Sequence, residues 1–346
     1  MGFEQANTRR ALPSWLGPAL VYSLSIASLI WVSYGVNFKQ VFRDIIALDW
    51  RWVTLAVIFD LSVYLCHGWR WKLLLKPVGQ VSFWRAVQAI YIGLFANEVL
   101  PLRTGELIRC YLLAHWNGLL MSIALSSAAV ERVIDGVWLM IAFLLTTSAL
   151  SLPAYLVDGA RVLGGLILAL VVVLAFIAIH KHHAHTVFSR SRWAASLRHI
   201  VEHVIEGLHA MGQWRTLFPA SGASLLYLVL QIVPVWALMR AYGLDLSFWA
   251  ASAVLIIIRL GTVIPNAPGN AGVYQVLCVV SLGLFGIDKT TAVGFSWTMF
   301  GVLTLPLLVG GFVAVLLTGL NLKEIRLRAR ASIRPRHSAP APAREK

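Results

Sequence analysis

The chain has 346 residues, of which 59% are hydrophobic and 13% are charged, with a formal net charge of +14. Soluble domains average roughly 45–50% apolar and 25% charged residues, so this composition excludes an ordinary soluble protein. The positive charge fits attraction to an anionic membrane leaflet better than nucleic-acid binding, and no nucleic-acid partner is expected.

Residues 1–14 carry Arg9 and Arg10 ahead of the first apolar run and are expected on the cytoplasmic side. Apolar runs follow at about 15–36 and 52–71. Each approaches or exceeds the ~18–20 residues that cross a bilayer core. The first run lacks the short core and cleavage site of a removable leader, so an uncleaved span is expected. The segments of alternating polarity that mark an outer-membrane barrel are absent. The loop expected after the second run holds Arg70, Lys72, Lys76 and Arg85.

Next comes SFWRAVQAIYIGLFANEVLP, whose apolar part is too short for a comfortable crossing, and then TGELIRCYLL. Pro101 and Gly105 break the pattern between them. This region predicts a helical hairpin that enters and leaves the membrane on one side. It carries Asn97, Glu98, Arg103, Glu106 and Arg109. The run at 119–150 holds Glu131, Arg132 and Asp135 and is long for one span, so a break near these charges is expected. A charge at the middle of a membrane helix costs about 2.5–3.5 kcal/mol on insertion scales. Pairing or a wet cavity would offset that. Glu106 and Arg109 are three residues apart on one helix, close enough to pair. Glu131 and Asp135 share a helix face and are placed to receive Arg103 or Arg109.

A further span is expected at 162–180. Residues 181–215 are basic and histidine-rich, with apolar positions at helical spacing, and read as an amphipathic interfacial helix. The HKHHAH stretch within it reads as a solvated basic run, and no metal site is expected. Another span covers about 217–242. Two short apolar pieces, 248–264 and 273–285, then flank PNAPGNAG. Pro265, Pro268, Gly269 and Gly272 are its breaking residues, and Asn266 and Asn270 its polar ones. A last span covers about 291–320, and residues 321–346 read as a disordered basic cytoplasmic tail.

Both short pieces begin with the same tripeptide, Ser82-Phe83-Trp84 and Ser247-Phe248-Trp249. Both break at a Pro/Gly loop, and the lysines and arginines place them on opposite faces of the membrane. That is the pattern of an inverted repeat, which in transporters points to the substrate site. The expected fold is all-α: a polytopic membrane protein with about six full spans and two re-entrant hairpins, residues 15–320 forming one transmembrane domain. Trp69, Trp71, Trp84 and Trp249 fit an interfacial aromatic belt. Cys66, Cys110 and Cys278 lie in apolar segments without a disulfide or zinc pattern.

No nucleophile elbow, HExxH pair or P-loop is present, so neither an enzyme nor a cofactor is expected. A membrane-embedded lipid transferase using Glu106, Glu131 or Asp135 is the weaker alternative. The arginine fork matches phosphate. On that basis Arg103 and Arg109 would hold a headgroup, Glu106, Glu131 and Asp135 would position them or carry protons, and Arg132 would serve either role. Asn97 would join them, and Asn266 and Asn270 would line the opposite gate.

Three motifs stand in order: Asn97-x-x-x-Pro101-x-Arg103-x-Gly105-Glu106-x-x-Arg109, then Glu131-Arg132-x-x-Asp135, then Pro265-x-x-Pro268-Gly269-x-x-Gly272-x-x-Gln275. Together they resemble the lysylphosphatidylglycerol synthase transmembrane family. The resemblance implies a flippase-like domain of the bacterial inner membrane, with membrane lipids as partners: an anionic phospholipid, a glycolipid or an isoprenoid-type lipid. It departs from the family at PGNAGVYQ, where PGGLGxxE is commoner, so Gln275 cannot carry the charge of an acid. The soluble aminoacyltransferase domain is not seen either, and lysine transfer by this chain alone is not expected. The other class of function left open is a non-transporting subunit that scaffolds a lipid-modifying enzyme. Oligomeric state, the lipid, and the direction and energy source of transport are not legible.

Overall fold

The computed structural model describes residues 16–100, 104–150, 211–262 and 268–319, with scattered positions between 153 and 169 and residue 327. Most of the expected span at 162–180, most of the basic segment 181–215, Pro101, Arg103, Pro265, Asn266 and both termini lie outside the described residues. Among the described residues there are ten α-helices and no strand. They are α1 (Leu16–Ser33), α2 (Phe38–Ile46), α3 (Trp50–Leu75), α4 (Phe83–Val99), α5 (Gly105–Asn117), α6 (Met121–Ala149), α7 (Trp214–Ala241), α8 (Phe248–Gly261), α9 (Val273–Gly283) and α10 (Lys289–Leu316). A 3-10 turn, Pro268–Asn270, precedes α9.

Three of these, α3, α7 and α10, are long and apolar enough to cross a membrane. The outward faces of α1 and α10 leave Ile26, Ile30, Leu305, Val309, Phe312 and Leu316 exposed. Apolar exposure on that scale would drive aggregation in water and marks a surface meant for lipid.

Two expectations are corrected. The run at 119–150 does not break at its charges: α6 continues unbroken from Met121 to Ala149. The charges are accommodated by partners on neighbouring helices, so the backbone has no reason to interrupt its own hydrogen bonds. And Arg70 is not in a loop, because α3 continues to Leu75 and buries it.

The centre of the molecule is the antiparallel pair α3 and α7. The Asp49 N–H donates to the Ala241 carbonyl at one end, 3.2 Å, and the Cys66 thiol donates to the Ala223 carbonyl towards the other, 3.5 Å. Two apolar cores sit at the two ends of this pair. One gathers Val53 and Ala56 of α3, Leu238 of α7, Val254 of α8, Leu282 of α9 and Phe295 of α10. The other gathers Leu74 of α3, Ile90 of α4, Leu112 of α5, Ala124 of α6 and Ala220 of α7.

The packing repeats. The helix order is long helix, two short helices, long helix, and it occurs twice: α3, α4/α5, α6 and α7, α8/α9, α10. Helices α3, α4 and α5 pack in sequence, as do α7, α8 and α9. Helix α4 lies against α10 of the other half, and α8 lies against α6. The corresponding helices α3 and α7 run antiparallel.

Each short pair is closed by specific groups. Ser82 and Ser247 stand at the N-caps of α4 and α8. Ser247 accepts the Ala250 N–H, 3.2 Å, while the Ser82 N–H donates to Asn117 Oδ1 at the end of α5, 3.1 Å. That bond brings the two ends of the first hairpin together. At its tip, Asn97 Oδ1 accepts the Gly105 N–H, 2.8 Å, satisfying one of the orphan donors that start a helix. The backbones of α4 and α5 touch at Gly93 and Gly105, where a Cβ on either would strike the other's carbonyl oxygen.

Candidate functional site

The charges between the apolar runs converge on one place beside the α3–α7 crossing. Helix α3 supplies His67, Arg70 and Trp71, α5 supplies Glu106 and Arg109, α6 supplies Glu131, Arg132 and Asp135, and α7 supplies Ser224 and Tyr227. The i, i+3 and i, i+4 spacings on α3, α5 and α6 put each group on one face of its helix.

Glu131 is the hub. One oxygen accepts Arg109 Nη1 at 3.1 Å, and the other lies 3.3 Å from Arg70 Nη2. His67 Nε2 is 3.6 Å from the first oxygen. Arg109 also donates from Nε to Glu106, 2.8 Å, and Glu106 takes Arg132 on its other oxygen, 2.6 Å. Arg70 pairs with Asp135 and donates to Ser224 Oγ, 3.1 Å. Three arginines thus meet three carboxylates, and the chain of pairs runs Arg132, Glu106, Arg109, Glu131, Arg70, Asp135.

Aromatic faces complete the enclosure. The Arg109 guanidinium sits 4.6 Å from the Trp71 ring centroid, and Arg70 sits 4.6 Å from that of Tyr227. Such contacts gain strength where water is excluded. Trp71 is therefore not part of an interfacial belt: it is fully buried, and its indole N–H donates to Ser127 at 2.8 Å. Arg109 Nη1 lies 3.2 Å from His67 Nε2. That nitrogen thus faces both the Arg109 guanidinium and the Glu131 carboxylate.

Burial divides the network. The side chains of Arg70, Arg109 and Glu131 are each 1% exposed, whereas Asp135, Glu106 and Arg132 are 23%, 35% and 52% exposed. The network therefore has a buried centre, Arg109, Glu131 and Arg70, and more exposed groups at its two ends. At the centre, Arg109 Nη2 and His67 Nδ1 are buried and have no hydrogen-bond partner. An unpaired buried donor such as Arg109 Nη2 is costly, and a polar group reaching it would satisfy it.

The second Pro/Gly loop makes a separate region. Gly269, Asn270 and Gly272 have φ of +69°, +53° and +89°, so the chain turns through the left-handed region before α9. A Cβ on Gly269 would lie 3.0 Å from Glu98 Oε2, which puts the tip of one hairpin against the tip of the other. The Gly272 N–H donates to Gln275 Oε1, 2.7 Å, so Gln275 acts locally, closing the first turn of α9. Helix α4 also packs against the 3-10 turn.

Of the residues singled out from sequence, Glu106, Arg109, Glu131, Arg132 and Asp135 come together in the network. Asn97 and Gly105 sit at the hairpin closure, and Asn270, Gly269 and Gly272 at the other tip. Arg103, Pro101, Pro265 and Asn266 are outside the described residues, and so is the side chain of Pro268. Sequence reasoning missed His67 and Arg70 as members of the network. Arg70 is followed by Lys72 and Lys76, and that run looks like the flank of a span. Asp60 was missed too, although an acid in the middle of an apolar run is itself a signal.

A family described as the lysylphosphatidylglycerol synthase TM region matches residues 14–328. A UPF0104 membrane protein of Methanothermobacter thermautotrophicus is 24% identical over 289 residues, covering 78% of this chain and 83% of that protein. Another, from Methanocaldococcus jannaschii, is 22% identical over 291 residues, covering 78% of this chain and 85% of its own length.

Proposed function

We propose that this chain, which belongs to the lysylphosphatidylglycerol synthase TM region family, is a membrane protein that translocates a lipid between leaflets of the cytoplasmic membrane. The lipid's polar headgroup passes the Arg109–Glu131–Arg70 network. The two short helix pairs are re-entrant hairpins of an inverted repeat, entering from opposite faces and meeting at their tips. About six spans surround them, with both termini on the cytoplasmic side. The substrate is an anionic phospholipid, a glycolipid or an isoprenoid-type lipid, and the chain does no covalent chemistry on it.

One observation carries this reading: a six-member charge network built inside an apolar helical bundle, buried at its centre and more exposed at its ends. A purely apolar core would pack the same helices more cheaply, since buried ion pairs often stabilise less than hydrophobic groups of the same volume. Intramembrane ionisable groups usually mark a substrate or ion pathway. The antiparallel relation of α3 and α7 and the contact of the hairpin tips support the inverted arrangement, in which substrate sites lie near the membrane midplane.

A second reading has an observation of its own. All three carboxylates are already paired with arginines, as they would be if the network only pinned the first hairpin to α6 in a scaffolding subunit. The two are separated by leaflet exchange in proteoliposomes containing fluorescent lipids with several headgroups, quenched from outside. A Glu106→Gln/Arg132→Gln variant removes the two most exposed charges and keeps Arg70, Arg109 and Glu131, with an amide oxygen left to accept from Arg109. Translocation predicts quenching beyond half of the probe in the wild type and a return to half in the variant, with both proteins eluting as folded. Quenching that stops at half for every headgroup in the wild type would favour the scaffold.

A further inference from the structure

Asp60 lies on α3, ten residues before Arg70, about 15 Å away along the helix axis at 1.5 Å per residue. It shares a helix face with Tyr64 and His67. It is 7% exposed, and its Oδ2 is buried without a hydrogen-bond partner. Among the described residues, every ion pair of the buried network is made by Glu106, Glu131 or Asp135, and none by Asp60. Glu131, on the same scale of burial, is held by two guanidiniums. Asp60 has no ion pair of this kind; a hydrogen bond with Tyr64 and the charge of Arg259 are what bear on its carboxyl group.

The groups facing Asp60 come from four elements besides its own. Tyr64, one turn along α3, hydrogen-bonds to it, with Tyr91 of α4 packed on Tyr64 at 4.8 Å between ring centroids. Arg259 of α8 is the one cation whose charge bears on Asp60 among the described residues, and Tyr274 of α9 lies within the same electrostatic reach. Helix α7 contributes Gln231, which accepts a hydrogen bond from Arg259. The one lysine of α10, Lys289, is at its far end, bonded to the Trp31 and Tyr34 carbonyls.

We infer that Asp60 is a proton-binding site in the membrane core, held as the neutral acid in this conformation and exchanging its proton with water when the second hairpin moves. A buried carboxylate without an ion-pair partner is too costly to keep charged, and such a group takes up a proton instead. A metal cation is a poor alternative. No cluster of three or more His, Cys, Asp or Glu able to hold a metal occurs among the described residues, and Arg259 would repel one.

The surroundings also supply the response to deprotonation. When the proton leaves for water, a carboxylate remains whose available partner is Arg259. The guanidinium then exchanges the Gln231 carbonyl oxygen for Asp60, and α8 is drawn towards α3. One change of hydrogen-bond partner biases the position of the second hairpin, which is the form a two-state switch takes. This site does not depend on lipid translocation: a chain that failed to exchange lipids would keep it if Asp60 still bound its proton.

The test is infrared difference spectroscopy on the full-length chain in an ester-free detergent, comparing wild type with Asp60→Asn at neutral pH. The expected result is a carboxylic-acid C=O band that shifts in deuterated water, is lost completely in Asp60→Asn, and disappears as the pH is raised. A difference spectrum containing only carboxylate bands at neutral pH would overturn the proposal. So would loss of the acid band on adding sodium at constant pH, which would make the site a cation site. If Asp60→Asn does not elute as a folded protein, Asp60→Glu takes its place. A displaced acid band then supports proton binding, and displaced carboxylate bands refute it.

Discussion

At the residue scale, the weight of the site falls on Glu131. It is the one carboxylate that is fully buried and shared by two arginines, so its removal leaves Arg70 and Arg109 facing each other's charge in a dry setting. Breaking a buried pair by deleting one partner typically costs about 3–5 kcal/mol. Glu131→Ala is therefore expected to lower the thermal unfolding temperature of the detergent-solubilised protein sharply. Glu106→Ala, at a partly exposed position with water as an alternative partner, is expected to lower it far less. Equal losses for the two would contradict the division into a buried centre and exposed ends. Most of these residues were legible in the sequence, because Glu106, Arg109, Glu131, Arg132 and Asp135 interrupt apolar runs and have no other business there. Arg70 and His67 were not. Arg70 sits near the end of a run, next to two lysines, and nothing in one dimension distinguishes a buried arginine there from a snorkelling one. Its burial is decided by α6 and α7, which bring Asp135 and Ser224 to it from more than sixty and one hundred and fifty positions away.

At the element scale, the first hairpin depends on how closely α4 approaches α5. Pro101 and Gly105 announced a break in the sequence, and a break there is what the fold has. The reason for Gly105 in particular needed three dimensions: a methyl group would meet the Gly93 carbonyl and lie 2.6 Å from Asn97 Oδ1. Overpacking of this kind costs about 1–3 kcal/mol, and loss of a cap about 1 kcal/mol. Gly105→Ala is expected to destabilise more than Asn97→Ala. The double variant should fall short of the sum, because parting the helices also breaks the Asn97 cap. Thermal melts of the three proteins check this, and strict additivity would mean that the close approach and the cap are independent. The unbroken course of α6 was not legible for the opposite reason. Its charges looked like an interruption in the sequence, but they are satisfied sideways by α3 and α5, and a helix whose side chains find partners keeps its backbone ladder.

At the scale of the whole molecule, the two halves hold each other. Helix α4 rests on α10 and α8 rests on α6, so neither hairpin can move without sliding against a long helix of the opposite half. The repeated Ser-Phe-Trp tripeptide and the two Pro/Gly loops made this duplication visible in the sequence. The exchange of partners between halves was not visible, since it depends on α3 and α7 crossing antiparallel. The contact between α8 and α6 has a polar marker suited to a test: the Thr146 and Ser252 hydroxyls are buried and 2.9 Å apart. Replacing both with cysteine puts two thiols where a disulfide, with sulfurs about 2.05 Å apart, needs only a small adjustment. Thr146→Cys/Ser252→Cys is expected to cross-link under mild oxidation, giving a bridged peptide by mass spectrometry, while each single variant does not. If the second hairpin must slide on α6 for a headgroup to pass, oxidation should stop lipid exchange and a reductant should restore it. Exchange that continues at the wild-type rate in the fully bridged protein would mean that this hairpin is a fixed part of the scaffold, and that any gate belongs to the first hairpin alone.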